Sequence, residues 1–302
     1  SSSSSSSSAM APALPTMFIN HGGGPCFYMP DDGRVFPPNT WRKMAAHLST
    51  LSHSCRGHAV ANGAYPNPIK ALLVISAHWE TTKNPTVNTC SAPPLLYDYY
   101  GFPPETYQLT WPAPGDPALA GRVRELLAGA GFATGSDATR GFDHGVFIPL
   151  KLAFPEAHIP VVQLSMVEGL DPETHLRMGA ALAPLRSEGV LIIGSGMSFH
   201  NMDGFMGGGD GMKYASKEFD AWLVETCTRL SNPAQRVERL RNWDAAPSAA
   251  MCHPQEEHLM PLMVVVGAAG GDQGRCVYTD DILGLAVSGF EFGGQGGGAD
   301  TC

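Results

Sequence analysis

Ala71-Leu-Leu-Val-Ile-Ser76 runs straight into Ala77-His78, and the same design returns at Gly189-Val-Leu-Ile-Ile-Gly194, shortly before His200. Neither stretch alternates apolar with polar residues, so each reads as a strand buried on both faces, the habit of parallel sheets covered by helices. Met17-Phe-Ile-Asn20, Ile159-Pro-Val-Val-Gln-Leu-Ser165 and Leu285-Ala-Val-Ser288 read as further strands. Helical patterns lie between them. Asp116-Pro117 and Asp171-Pro172 each supply a cap and a first-turn proline, opening helices that end near Ala130 and Ser187. In Tyr214 to Leu230 the residues Phe219, Trp222, Leu223, Cys227 and Leu230 form one apolar stripe. Strands alternating with helices predict an α/β fold: a single domain with a mainly parallel central sheet flanked by helices.

Composition narrows the function. Of 302 residues, 43% are hydrophobic and 16% charged, which excludes a disordered polyelectrolyte and a coiled coil. Nineteen Lys and Arg against 28 Asp and Glu leave a formal charge of −9 with no basic block, so nucleic acid is not an expected partner. No apolar run reaches the ~18 residues that cross a bilayer, so no membrane is expected; the longest, Ala71 to Ala77 and Met260 to Ala269, read as a core strand and a short buried helix. Seven scattered cysteines without CxxC pairs fit a reducing, cytoplasmic setting. Residues 1–15, opening with Ser1 to Ser8, read as a tail, 16–292 as the folded domain, and 293–302 as a glycine-rich tail. Long Pro- and Gly-rich segments at Gly22 to Asn39, Ala92 to Pro117 and Gly204 to Gly211 read as pocket walls.

Position sorts the eleven histidines. His21 follows the first strand into Gly22-Gly23-Gly24, His78 ends the second, and His200 follows the strand and turn ending at Ser195-Gly196. Ligands collect outside the carboxyl ends of parallel strands, so these three can converge, which points to a metal and places the active site there. His258, read as lying at the start of a helix whose body is Leu259 to Gly267, can project toward the same place. His144, in Gly141-Phe-Asp-His-Gly145, reads as a loop residue suited to proton transfer near neutral pH. His47, His53, His58, His158, His175 and His253 follow no strand end and read as structural; Cys55 beside three of them is no zinc ligand set. Gly22-Gly-Gly-Pro lacks GxGxxG, so no nucleotide site is expected, and Gly194-Ser-Gly-Met-Ser198 lacks the nucleophile-elbow spacing.

Asn20-His-Gly-Gly-Gly-Pro25, Ser76-Ala-His-Trp79, Gly141-Phe-Asp-His-Gly145, Ile159 to Ser165, Phe199-His-Asn201 and Glu257-His-Leu-Met-Pro-Leu262 together resemble, in order and spacing, the LigB-like class III extradiol ring-cleavage dioxygenases, in the branch of the 4,5-DOPA extradiol dioxygenases. The resemblance runs from Thr16 to about Ser288 and takes in the Trp111-Pro-Ala-Pro-Gly115 loop. It implies a mononuclear non-haem Fe(II), with Zn2+ as a possible occupant, held by His21, His78 and His258. It also implies that His200 is a further ligand or the base, and that His144 is the second proton-transfer residue. In related class III enzymes the third ligand is a carboxylate, which makes Glu257 a competitor of His258. The implied partners are a small, DOPA-like catechol and O2: imidazoles on three positions leave room for both on the iron. Two departures bear on substrate identity: Gly22-Gly-Gly-Pro25 stands for the family's Gly-Ser-Pro, and Gln255-Glu256 for its Thr-Pro. The insert from His53 to Pro68 bears on it too. A Memo-like binding protein on the same fold and a zinc hydrolase are the alternative functions.

Overall fold

Thr16–Asn20 (β1), Ala71–Thr81 (β2), Val161–Val167 (β5) and Val190–Gly196 (β6) arise where the sequence shows unbroken apolar runs; β1 and β6 are buried throughout. In this computed structural model, which describes residues 13–60 (52–60 by backbone alone) and 69–293, they pair in parallel at the centre of one eight-stranded sheet. Thr86–Asn88 (β3) and Gly135–Asp137 (β4) extend it on one side, and Leu285–Phe292 (β8) and Gly274–Ile282 (β7) on the other, in the order β4-β3-β5-β2-β6-β1-β8-β7. The edges bring antiparallel pairs, β3 with β5 and β8 with both β1 and β7. The sheet is therefore mainly parallel, as the sequence predicts. β3, β4 and β7 were not foreseen: two are only three residues long, and β7 alternates buried with partly exposed positions.

Helices cover both faces of the sheet: Arg42–Val60 (α1), Pro117–Gly129 (α2), His144–Ala153 (α3), Pro172–Leu182 (α4), Met202–Phe205 (α5), Gly209–Val224 (α6), Pro233–Arg241 (α7), Ala249–Cys252 (α8) and Met260–Ala269 (α9). The predicted caps form, Asp116 accepting from Leu119 N–H and Asp171 from Thr174 N–H. α9 is buried at every position, the core helix that its apolar run implies. Each fully buried Val, Leu or Met contributes ~1.5–3 kcal/mol relative to exposure, so this layer anchors the strands beneath it. Gly204 to Gly211 does not form the long loop expected; α5 and the start of α6 occupy it.

Among the described residues no helix is long and apolar enough to cross a membrane. Cys26, Cys90, Cys227 and Cys252 are free thiols, and Cys276 is disulfide-bonded. The Ser1 to Ser8 run, residues 61–68, the side chains of His53, Cys55 and His58, and the tail beyond Gly293 lie outside the described residues.

The topology sets the site. β2, β6 and β1 are neighbours running the same way, so their carboxyl ends lie side by side.

Candidate metal centre

Backbone bonds fix the floor before any side chain is considered. His21 N–H donates to Gly196 O at 3.0 Å, Met197 N–H to His258 O at 3.0 Å, and His200 N–H to Cys252 O at 3.0 Å. Gly196 permits this close approach, since a Cβ there would lie 2.1 Å from His258 O. Directly after His21 the chain turns through Gly22 at φ 80°, a left-handed conformation that favours glycine.

The cavity of about 230 Å³ at these strand ends is lined by His21, His78, His144, His200 and His258. One ligand nitrogen each from His21, His78 and His258 lies within 4.8 Å of the others, a group able to hold a metal ion. His78 Nε2 and His21 Nε2 are 3.1 Å apart. His78 sits within β2, at the irregularity between Ile75 and Glu80, rather than after the strand's end. His258 lies in the turn before α9, not within the helix's first turns.

Proton accounting assigns which nitrogen is bare. Ser195 Oγ donates to Gly145 O, so its lone pairs are left to accept from His21 Nδ1–H at 3.1 Å, and His21 Nε2 is bare. His258 Nδ1–H donates to Glu257 Oε1 at 2.9 Å, which leaves His258 Nε2 bare as well. At 3.1 Å from the bare His21 Nε2, His78 Nε2 is close enough for a shared proton or a cation to bridge the two. Outer hydrogen bonds of this kind orient metal-binding imidazoles and raise their basicity. Burial, reinforced by the neighbouring imidazoles, holds His21 and His258 neutral well below the ordinary histidine range, and pushes His78 down to about 4. Neutral imidazole is the form that binds a metal.

His200 stands apart from that trio. Its ring stacks on His258 at 3.4 Å between centroids, and its Nδ1 lies 3.4 Å from Glu257 Oε1. Burial alone would raise the Glu257 carboxyl; the bond and charge from His200 hold it below its usual range instead.

His144 corrects the loop reading: it is the buried first residue of α3. Its Nδ1–H and its backbone N–H both donate to Asp98 Oδ1 at 2.8 Å. Nε2 is thereby left as an acceptor beside His78, whose ring centroid is 3.9 Å away. Beneath it Asp143, fully buried, accepts from Ser76 Oγ, Arg140 Nη2 and Gln163 Nε2.

Sequence reasoning missed Asp98, Ser195 as an orienting group, and Arg140. Asp98 carries a signal in hindsight, as an acid set among aromatics in Tyr97-Asp-Tyr-Tyr100 within a predicted wall. Of the histidines read as structural, His175 and His253 are bonded to backbone, His47 stacks on Tyr278, and His158 is exposed.

Comparison with known proteins fits this geometry. The chain is 38% identical to "Dioxygenase tasH" of Hapsidospora irregularis, covering 93% of this chain and 86% of that protein. It is 47% identical to a Beta vulgaris "4,5-DOPA dioxygenase extradiol" over 67% of this chain and 74% of that one. The crystal structure of an uncharacterized Escherichia coli K12 protein superposes with a TM-score of 0.66 at 28% identity, covering 92% of this chain and 99% of that one. Residues 24–283 match the family described as "Catalytic LigB subunit of aromatic ring-opening dioxygenase", and the chain therefore belongs to that family of ring-cleavage dioxygenases.

Proposed function

We propose that the protein is an Fe(II)-dependent extradiol dioxygenase that opens the ring of a small catechol with O2, its catalytic domain being residues 16–292. The observation that carries this reading is the set of three imidazoles with one ring nitrogen each within 4.8 Å of the others, two of them with Nδ1 occupied by Ser195 and Glu257. The donor set fits a divalent first-row ion with open positions. Bound Fe(II) would supply a redox-active centre that holds catechol and O2 side by side, which zinc, lacking redox chemistry, does not.

His21, His78 and His258 are the ligands in this reading, and Glu257 orients His258 through the bond that Oε1 accepts from His258 Nδ1. His200, whose ligand nitrogen groups with Glu257 and His258 rather than with His21 and His78, acts in this reading as a base rather than a fourth ligand. His144 Nε2, left bare by the Nδ1–H bond to Asp98, removes a ring hydroxyl proton and later returns it. A positioned base or acid of this kind typically contributes 10²–10⁴ in rate. Asp98 fixes the tautomer and ring plane of His144. The apolar walls exclude bulk water, which strengthens each of these interactions.

The test is anaerobic loading with Fe(II), then oxygen uptake with a panel of catechols. One iron per chain, oxygen consumption and a yellow semialdehyde product are expected, with a Zn2+-loaded sample inactive. Iron-loaded protein that consumes no oxygen with any catechol overturns the reading.

A further inference from the structure

The cavity's walls are apolar around a floor of imidazoles. Phe36, Trp41, Phe102, Met197, Met202 and Phe205 line it. Among the described lining residues there is no Lys, Arg, Asp or Glu. From this we propose that the substituent on the catechol ring is uncharged and apolar, so that alkyl- or aryl-catechols are preferred to catecholic amino acids, acids or amines. The proposal rests on the catechol reading of the same site.

A carboxylate on the substituent would lack a Lys or Arg partner among the described lining residues. The guanidinium nearest the floor, Arg140, donates to Asp143 and to His78 O and lies over the Trp79 ring. The charged groups behind the floor are otherwise carboxylates, Asp98, Asp143 and Glu257, each bonded to a histidine or to Arg140. They repel an anion. Neighbouring hydroxyls are spent as well: Tyr97 donates to Leu109 O and Tyr99 to Thr106 O. Burying an ionised group without a partner is strongly unfavourable, whereas burying apolar surface is favourable.

An ammonium group is the sharper rival, because aromatic faces attract cations. Among the described residues no carboxylate lines the wall to complete such a site. The cavity, about 230 Å³, lies below the usual range for drug-sized ligands, which fits one ring with a compact substituent.

Metal-loaded protein is titrated anaerobically by calorimetry with 4-tert-butylcatechol and 4-phenylcatechol, and in parallel with L-DOPA, protocatechuate and dopamine. The apolar pair is expected to bind at least tenfold more tightly than each charged catechol, equivalent to about 1.4 kcal/mol. A charged catechol that binds as tightly as the apolar pair, or failure of both apolar catechols to bind, overturns the proposal. Oxygen uptake on the same samples reports separately on ring cleavage. The binding preference without oxygen consumption upholds the apolar site and removes the dioxygenase reading of it.

Discussion

At the floor of the cavity the far nitrogens of His21, His144 and His258 are taken by Ser195, Asp98 and Glu257, and backbone bonds tie the carrying segments together. At the rim, Phe36, Phe102 and Phe205 are only half-buried and Met202 is 58% exposed, on loops and a four-residue helix. The floor stands on the ends of strands buried on both faces, so its geometry can change only if the sheet changes. The rim stands on segments that carry little of the core. On the proposed reading, chemistry is therefore held by the part of the molecule least free to vary, and substrate choice by the part most free. Substitutions should divide the same way: floor variants lower metal content or kcat, and rim variants move KM.

The largest effect is expected at the floor. In His258→Ala the trio loses one nitrogen, and Glu257 loses the Nδ1–H that it accepts. Metal retention measured by elemental analysis should fall to background, with activity lost alongside it. A variant that keeps one metal per chain would show that the trio is not the binding set.

Much of this floor was legible in the sequence, for a physical reason. A strand buried on both faces must be apolar throughout, so a histidine after such a run stands out, and parallel neighbours bring those ends together; His21 and His200 were found this way. His144 was misplaced because glycine and aspartate read locally as a turn, whereas Asp143 and the bonds from Asp98 hold it at the start of a buried helix. Asp98 was invisible because its role depends on a contact 46 residues away in sequence. The short strands β3 and β4 were missed because three residues carry no periodicity.

Acid should attack the molecule from behind the floor rather than from the rim. His253 is buried against Phe219 and Trp243, donates from Nε2 to Ser198 O, and is pushed down to about 4 by burial. The unfolded chain binds this proton near pH 6.5 and the folded chain does not, so stability is full above that pH and declines as pH falls toward 4. The loss from this one group approaches ~3 kcal/mol across the window. Urea unfolding of the metal-free protein at steps between pH 7.5 and 4.5 measures it together with the like-signed losses from His21, His78 and His258. A flat midpoint over that range would contradict the burial of a neutral imidazole there.

Asp98→Asn probes the proton-transfer part of the floor while keeping the side chain's size. The amide oxygen of asparagine can still accept from both the backbone N–H and Nδ1–H of His144, but without the carboxylate's charge, so Nε2 becomes a weaker base. A kcat reduced about 10- to 100-fold with metal content unchanged is expected, in line with other second-layer partners. Asp98→Glu should recover part of the loss. Equal losses in both variants would mean that Asp98 only supports the fold.

The smallest effect belongs to the rim. Phe205 packs edge-on against Phe199 at 5.6 Å and offers its remaining surface to the cavity. Phe205→Ala removes apolar contact worth ~1 kcal/mol to a bound catechol with an apolar substituent, which corresponds to a KM raised about fivefold. Because no hydrogen bond of the floor passes through Phe205, kcat should stay within about twofold. Steady-state kinetics with 4-tert-butylcatechol and with unsubstituted catechol separates the two regions, since only the substituted ring reaches far enough to register the missing wall. If kcat fell for both substrates alike, rim and floor would be one mechanical unit, and the division of labour between them would fail.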